Sequence, residues 1–208
     1  GAQFSVEDQQ QRRHSRSILA LVDEVLAAAQ LQKQALDLLA VTIGPGSFTG
    51  LRIGVAVAQG LAFSLGCRVV PVSSLLLMAY KAKQQYPEAQ YALATLDARM
   101  QQVYAAWFEL IGDGVPKLLE REQVLAPDAL PLLSESDSVQ GYSIAVGSGC
   151  ESFELWPTQL KEQLQQTETA IMPNASTLAE MVTAHADLLP QLSALQLRPV
   201  YIRDNVAS

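Results

Sequence analysis

The residues best suited to chemistry lie in one run, Thr42-Ile43-Gly44-Pro45-Gly46-Ser47-Phe48-Thr49-Gly50-Leu51-Arg52-Ile53-Gly54. A glycine-rich turn that leaves a strand and opens a helix exposes backbone N–H groups at the positive end of the helix dipole. That arrangement suits a phosphate. Gly44, Gly46, Ser47, Thr49 and Gly50 would line such a cradle. The run has neither the Gly-Lys-Ser/Thr ending of a phosphate loop nor the Gly-x-Gly-x-x-Gly spacing of a dinucleotide fold. It holds no lysine, so backbone amides, Ser47, Thr49 and Arg52 would have to meet any phosphate. A tight strand-to-helix turn explains the same residues without a ligand, and the sequence leaves both readings open.

Gly50, Gly54 and Ala58 follow at intervals of four, on one helical face. A row of small residues lets a second helix approach closely. Earlier in the chain Ile18, Val22, Val25 and Ala29 recur at helical spacing, with Leu19 and Leu26 widening the stripe. Two apolar helices, 15–29 and 47–65, would offer more apolar surface than one sheet face needs. We therefore expect an isologous dimer interface built from Ile18, Val22, Val25, Ala29, Gly50, Gly54, Val57, Ala58 and Leu61. The basic cluster Arg12-Arg13-His14-Arg16 reads as a solvated patch, with an acidic segment or a phosphate as the alternative. Asp97 and Arg99 suit an ion pair that positions a hairpin, since neither has a nucleophile or a second carboxylate close in sequence.

The elements that position these residues alternate. Leu38 to Ile43 reads as a buried strand and 47–65 as a helix capped by Ser47 or Thr49. Arg68 to Val72 reads as a second strand, and a helix starting at Ser73 or Ser74 runs through Ala82. Strand, glycine turn, helix, strand, helix implies parallel pairing with helices on the sheet faces. Beyond it come strands at 91–96, 103–110 and 143–147, a Gly-containing turn at 111–114, and a short helix punctuated by Pro127 and Pro131. A late helix spans 176–186 with Ser176 as its cap, and the Gln-rich run 159–166 reads as a solvated helix face. We expect two lobes meeting near residue 95, at 1–95 and 96–190, with 191–208 packing back near their junction.

Composition narrows the chemistry. The chain has 208 residues, 49% of them apolar, which supports a substantial core. It carries 14 Lys and Arg against 21 Asp and Glu, a formal charge of -7, so it is a poor stand-alone binder of nucleic acid. Its only histidines, His14 and His185, leave little for metal or general-base chemistry, and Cys67 and Cys150 read as separate reduced thiols. The longest weakly polar stretch, 53–65, is shorter than the roughly 20 residues of a membrane span, and no targeting segment is visible. A cytoplasmic protein is expected.

Gly44-Pro45-Gly46-Ser47-Phe48-Thr49-Gly50-Leu51-Arg52-Ile53-Gly54, Ala58-Gln59-Gly60-Leu61-Ala62 and Pro71-Val72-Ser73-Ser74-Leu75 together resemble the bacterial TsaB (YeaZ) family. Asp97-Ala98-Arg99-Met100, Val103-Tyr104 and Pro199-Val200-Tyr201-Ile202-Arg203 match it too. The resemblance implies an α/β fold of the actin/Hsp70/sugar-kinase (ASKHA) kind, in two lobes. It implies a role in forming N6-threonylcarbamoyladenosine beside the anticodon of tRNAs that read ANN codons. There TsaB is the partner of its catalytic paralogue TsaD, with TsaE as the ATPase. Family members open with an apolar-Asp-Thr-Ala strand and turn, and this chain begins after that region. The N-terminal lobe is therefore expected to lack its first strands. TsaD-like chains carry a His-x-x-x-His metal pair where this one has Ser74 and Met78, neither an imidazole ligand.

These features lead us to expect a non-catalytic scaffold with no metal and no required cofactor, ATP or ADP at the TsaD interface being the one candidate ligand. It would bind TsaD directly, TsaE through the complex, and itself when alone. Transfer RNA would be met only indirectly, and no membrane is expected. An ATP-hydrolysing enzyme using the Gly44–Gly50 loop is the alternative. A peptidase is disfavoured, since Ser47, Ser73 and Ser74 come without a Gly-x-Ser-x-Gly elbow.

Overall fold

The computed structural model describes residues 2–7, 14–134 and 141–202, with residues 14–17 described by their backbone alone. The chain divides into two compact units, Gly1–Ser73 with Asn174–Val200, and Ser74–Pro173 with Tyr201–Ser208. Each is a mixed α/β assembly.

In the first unit, α1 (His14–Ala28) packs on α2 (Phe48–Leu65), and α2 lies on two strands, β1 (Leu38–Gly44) and β2 (Arg68–Ser73). The strands run parallel, with Leu39 opposite Val69 and Val41 opposite Pro71, as a strand–helix–strand crossover demands. Ser47 caps α2 as its spacing predicts, and Gly66 ends it at φ 70°, the left-handed conformation that favours glycine. Val55, Ala58 and Ala62 from α2 join Val69, Ala194 and Leu197, with Leu39, Val41 and Ile43 packed against them. The helix Ala175–His185 packs on β1. Its cap is Asn174, whose side chain accepts the Thr177 N–H at 2.8 Å, and not Ser176 as the sequence suggested. The end of the unit doubles back along β2: Val69 and Leu192 exchange two backbone hydrogen bonds, at 2.9 and 2.8 Å.

In the second unit, α3 (Ser74–Gln85) precedes a mixed sheet of β3 (Tyr91–Arg99), β4 (Gln102–Glu109), β5 (Lys117–Leu118), β6 (Gln123–Leu125), β7 (Ser143–Val146) and β8 (Gln166–Glu168). The order is β5-β4-β3-β7-β8, with β6 also on β4; β7 and β8 run parallel to β3, and β4 antiparallel. Successive strand residues face opposite sides. Ala92, Ala94 and Leu96 of β3 face one cluster with Leu75, Met78, Ala79 and Ala82 of α3. Tyr91 and Leu93 face the other, with Trp107, Trp156 and Leu160. Because both faces are covered, β3 reads in sequence as an almost unbroken apolar run.

The division between the units falls after Ser73, not near residue 95. A helix belongs with the sheet that buries its apolar face, and α3 buries Leu75 and Met78 against β3. Residue 95 lies in the interior of β3. Likewise the return to the first unit begins at Asn174, ahead of the expected 191, because the Ala175–His185 helix packs on β1. The Gln-rich run is also more than a solvated face. Only Thr158–Gln163 is helical, Gln163 binds both backbone groups of Leu133 at 2.9 and 3.1 Å, and Gln165 accepts the Ser143 N–H at 2.6 Å.

Candidate functional site

Gly44 ends β1 with φ 127°, and a Cβ there would lie 2.7 Å from the Val200 carbonyl oxygen. Val200 in turn donates its N–H to the Ile43 carbonyl at 2.8 Å. The glycine thus lets the backbone at Val200 pass close to the end of β1. Ser47 Oγ accepts the Gly50 N–H at 3.3 Å, and the Leu51 N–H goes to the Ser47 carbonyl at 2.9 Å. A Cβ on Gly50 would meet the Ser47 side chain at 3.4 Å. The loop meets its own helix end, and Thr49 lies exposed beside it. The cation nearest in sequence, Arg52, lays its guanidinium 3.7 Å from the centre of the Phe48 ring. These contacts account for Gly44, Ser47 and Gly50 through the turn reading. Gly46 has only Leu51 Cδ1 at the edge of reach, at 4.0 Å.

The expected interface residues separate into two sets. Ala58 is 8% exposed and packs in the unit's own core, and the Cβ position of Gly54 points toward Val41 of β1 at 4.0 Å. Of the small-residue row, Gly54 and Ala58 therefore serve the unit's own sheet and core, which takes Ala58 out of the interface, while Gly50 faces Ser47. An α2 helix crossing its own two strands needs close approach there first. Ile18, Val22, Val25, Ala29, Gly50, Gly54, Val57 and Leu61 are half-buried. The outward face of α2 is instead Phe48, Arg52, Ala56, Gly60 and Ser64, with Phe63 beside it. Phe63 is 73% exposed and Phe48 45%, and no atom lies within 4 Å of the Cβ position of Gly60. By length and composition α2 is the one helix among the described residues that would suffice to cross a membrane. Its inward side is committed to protein all the same: Val55, Ala58 and Ala62 are core residues and Gln59 donates to the Leu197 carbonyl at 2.8 Å.

In the second unit Asp97 and Arg99 pair at 3.2 Å, the hairpin contact expected from sequence. Asp97 also accepts the Arg99 N–H at 2.9 Å, and Ser148 Oγ accepts the Asp97 N–H at 3.1 Å. Together they hold Arg99, Met100 and Gln101 at φ 63°, 53° and 57°, a left-handed tip that residue types alone did not signal. Met78, which the resemblance sets against a metal-binding histidine, is fully buried in the α3 cluster, and Ser74 opens that helix. Cys67 is half-buried and Cys150 buried, both as free thiols. Burial pushes the Cys150 thiol up to about 11, against a smaller opposing effect of its hydrogen bond with Thr95. No three His, Cys, Asp or Glu side chains among the described residues cluster closely enough to hold a metal ion. Arg12 and Arg13 lie outside the described residues, as do the side chains of His14 and Arg16 and the closing residues from Arg203 onward.

A family model described as TsaD, tRNA N6-adenosine threonylcarbamoyltransferase, matches residues 6–208. A Haemophilus influenzae protein named tRNA threonylcarbamoyladenosine biosynthesis protein TsaB is 31% identical, over 99% of this chain and 86% of its own length. The chain belongs to the TsaB family. An Escherichia coli protein of the same name is also 31% identical, over 94% of this chain and 83% of its own. A Pseudomonas aeruginosa structure described as an uncharacterized protein with similarity to peptidase YEAZ superposes with a TM-score of 0.82. It shares 30% identity, covering 92% of this chain and 85% of that one. The match of the TsaD-named model to a TsaB-family chain fits a paralogue of the transferase.

Proposed function

We propose that this chain is a non-catalytic scaffold subunit that activates its paralogue TsaD, with TsaE, in forming N6-threonylcarbamoyladenosine next to the anticodon of tRNAs reading ANN codons. The observation that carries the reading is the outward face of α2, apolar at Phe48 and Phe63 and smooth at Ala56 and Gly60. Large apolar groups beside small ones make a helix-docking surface. The names of the relatives supply the pathway. The net charge of -7 favours a division of labour in which the partner holds the tRNA. The division into two α/β units suits the actin-like architecture of that superfamily. In this reading α2 docks protein rather than lipid, the chain works in the cytoplasm, and it pairs with itself when TsaD is absent. It requires no cofactor of its own; ATP or ADP would sit at the TsaD interface.

Gly60→Lys tests the reading. The position has no neighbour within 4 Å, so the change leaves the fold of the chain intact and blocks only what docks there. Loss of both self-association in sedimentation and capture of TsaD in a pull-down is the expected result. Retention of both would overturn the docking face, and turnover of ATP by the isolated chain would favour the enzyme reading instead.

A further inference from the structure

The hairpin tip between β3 and β4 holds a side chain that neither burial nor turn geometry favours. Arg99 and Gln102 close the ladder, leaving Met100 and Gln101 as a two-residue loop with φ 53° and 57°. Positive φ at both central residues is the type I′ pattern, which Asn-Gly adopts readily and a long side chain adopts at a cost. Met100 is also 82% exposed, so most of its apolar surface stays in water. What methionine supplies at this position is a thioether sulfur. The chain's other three methionines are less accessible: Met172 is 42% exposed, and Met78 and Met181 are fully buried.

We propose that Met100 is a reversible oxidation site, at which a peroxide converts the exposed thioether to a sulfoxide while the hairpin stays intact. The sulfur attacks one peroxide oxygen, and an S–O bond forms as the O–O bond breaks. The proton passes to the departing oxygen, which leaves as water or an alcohol; sulfur gives up two electrons and the peroxide takes them. A methionine sulfoxide reductase runs the return, the oxygen leaving as water while two thiols become a disulfide. The frame of the tip is held by other groups. Asp97 accepts the Arg99 N–H at 2.9 Å and pairs with its guanidinium at 3.2 Å, and Ser148 Oγ accepts the Asp97 N–H at 3.1 Å. None of these contacts uses the Met100 sulfur, so oxidation leaves them in place and changes only the surface the tip presents, from apolar to polar and chiral. The same reaction at Met78 would force a polar oxygen among Leu75, Ala79 and Phe108, which is damage to the core. The site lies in the second unit and does not depend on the reading of α2 as a docking face.

Hydrogen peroxide tests the assignment in a Cys67→Ser background, which removes the half-buried thiol from competition. Mass spectrometry of tryptic peptides follows each methionine, Met100 opening the peptide that begins after Arg99. Met100 should gain its oxygen about two- to fivefold faster than Met172 and at least about fiftyfold faster than Met78 and Met181, whose sulfurs wait for their units to open. In urea the four rates should converge. Met100→Leu, at an exposed position, should abolish the fast phase and leave the slower ones unchanged. Protein oxidised at Met100 alone should keep the parent's fluorescence-detected urea midpoint, and methionine sulfoxide reductases A and B with a dithiol should return the parent mass. First oxidation at any other methionine, or a fast phase that survives Met100→Leu, would overturn the assignment. A lowered midpoint in the singly oxidised protein, or a product the reductases leave unchanged, would overturn the reading of a reversible mark on an intact hairpin.

Discussion

Gly44→Ala discriminates between the two readings of the glycine loop. The methyl group would sit 2.7 Å from the Val200 carbonyl oxygen and 3.4 Å from Leu51 Cδ1, on a backbone with φ 127°. The unfavourable φ costs about 1–3 kcal/mol and forced contact with a backbone carbonyl about 1–3 kcal/mol more, partly shared because one shift relieves both. Retreat of Val200 breaks its hydrogen bond to Ile43, worth about 1 kcal/mol, and the reduced entropy of the unfolded alanine chain returns about 0.4–1 kcal/mol. A net loss of about 2–4 kcal/mol follows, against an entire stability of about 5–15 kcal/mol. The assay exploits the placement of the only two tryptophans, Trp107 and Trp156, in the second unit. Urea unfolding followed by circular dichroism sees both units, whereas tryptophan fluorescence sees the second. Gly44→Ala should lower the dichroism midpoint, leave the fluorescence midpoint near its parent value, and speed amide exchange at Val200. Gly46→Ala, whose nearest neighbour is 4.0 Å away, should cost less than about 1 kcal/mol. Equal damage from both, or a loss under 1 kcal/mol from Gly44→Ala, would refute the argument that Val200 requires the glycine.

Gln163→Ala should destabilise the second unit by about 1–2 kcal/mol, because its amide serves both the N–H and the C=O of Leu133, and fluorescence-detected unfolding measures it. In a Cys67→Ser variant at pH 8, Cys150 should resist thiol reagents until the unit opens, since a thiol held near 11 is about one part in a thousand thiolate. Labelling should accelerate above pH 10 and in urea; rapid labelling of the folded protein at pH 8 would contradict the burial argument. Ser148→Ala removes the acceptor for the Asp97 N–H and should loosen the Arg99–Gln101 tip by about 1 kcal/mol, seen as faster proteolysis after Arg99.

Much of the fold was legible because local physics repeats along the chain. The apolar run 38–43, the glycine turn and the helical spacing of 47–65 named β1, α2 and their parallel partner β2. The strands shorter than four residues, β5, β6 and β8, gave no such signal, since two or three residues carry no period. Ser148–Leu155 hides for another reason: it is a 3-10 stretch, whose repeat of three residues does not give the 3.6-residue spacing by which an α-helix is read. Asn174 and Ser176 are equally good cap residues, and only the helix entry decides between them.

The sequence by itself determined which helices are apolar, which loop is rich in glycine, and which family carries those motifs. Only the tertiary structure decided which side of each helix is used at home. An i, i+4 row of small residues looks the same whether it meets its own sheet or another chain. Gly54 and Ala58 are spent on Val41 and the core around Leu197, while Ala56 and Gly60, two positions away from each, are left facing outward. Long-range packing makes that choice: a helix rotates until its best face is buried, and the remainder becomes the surface on which a partner can act.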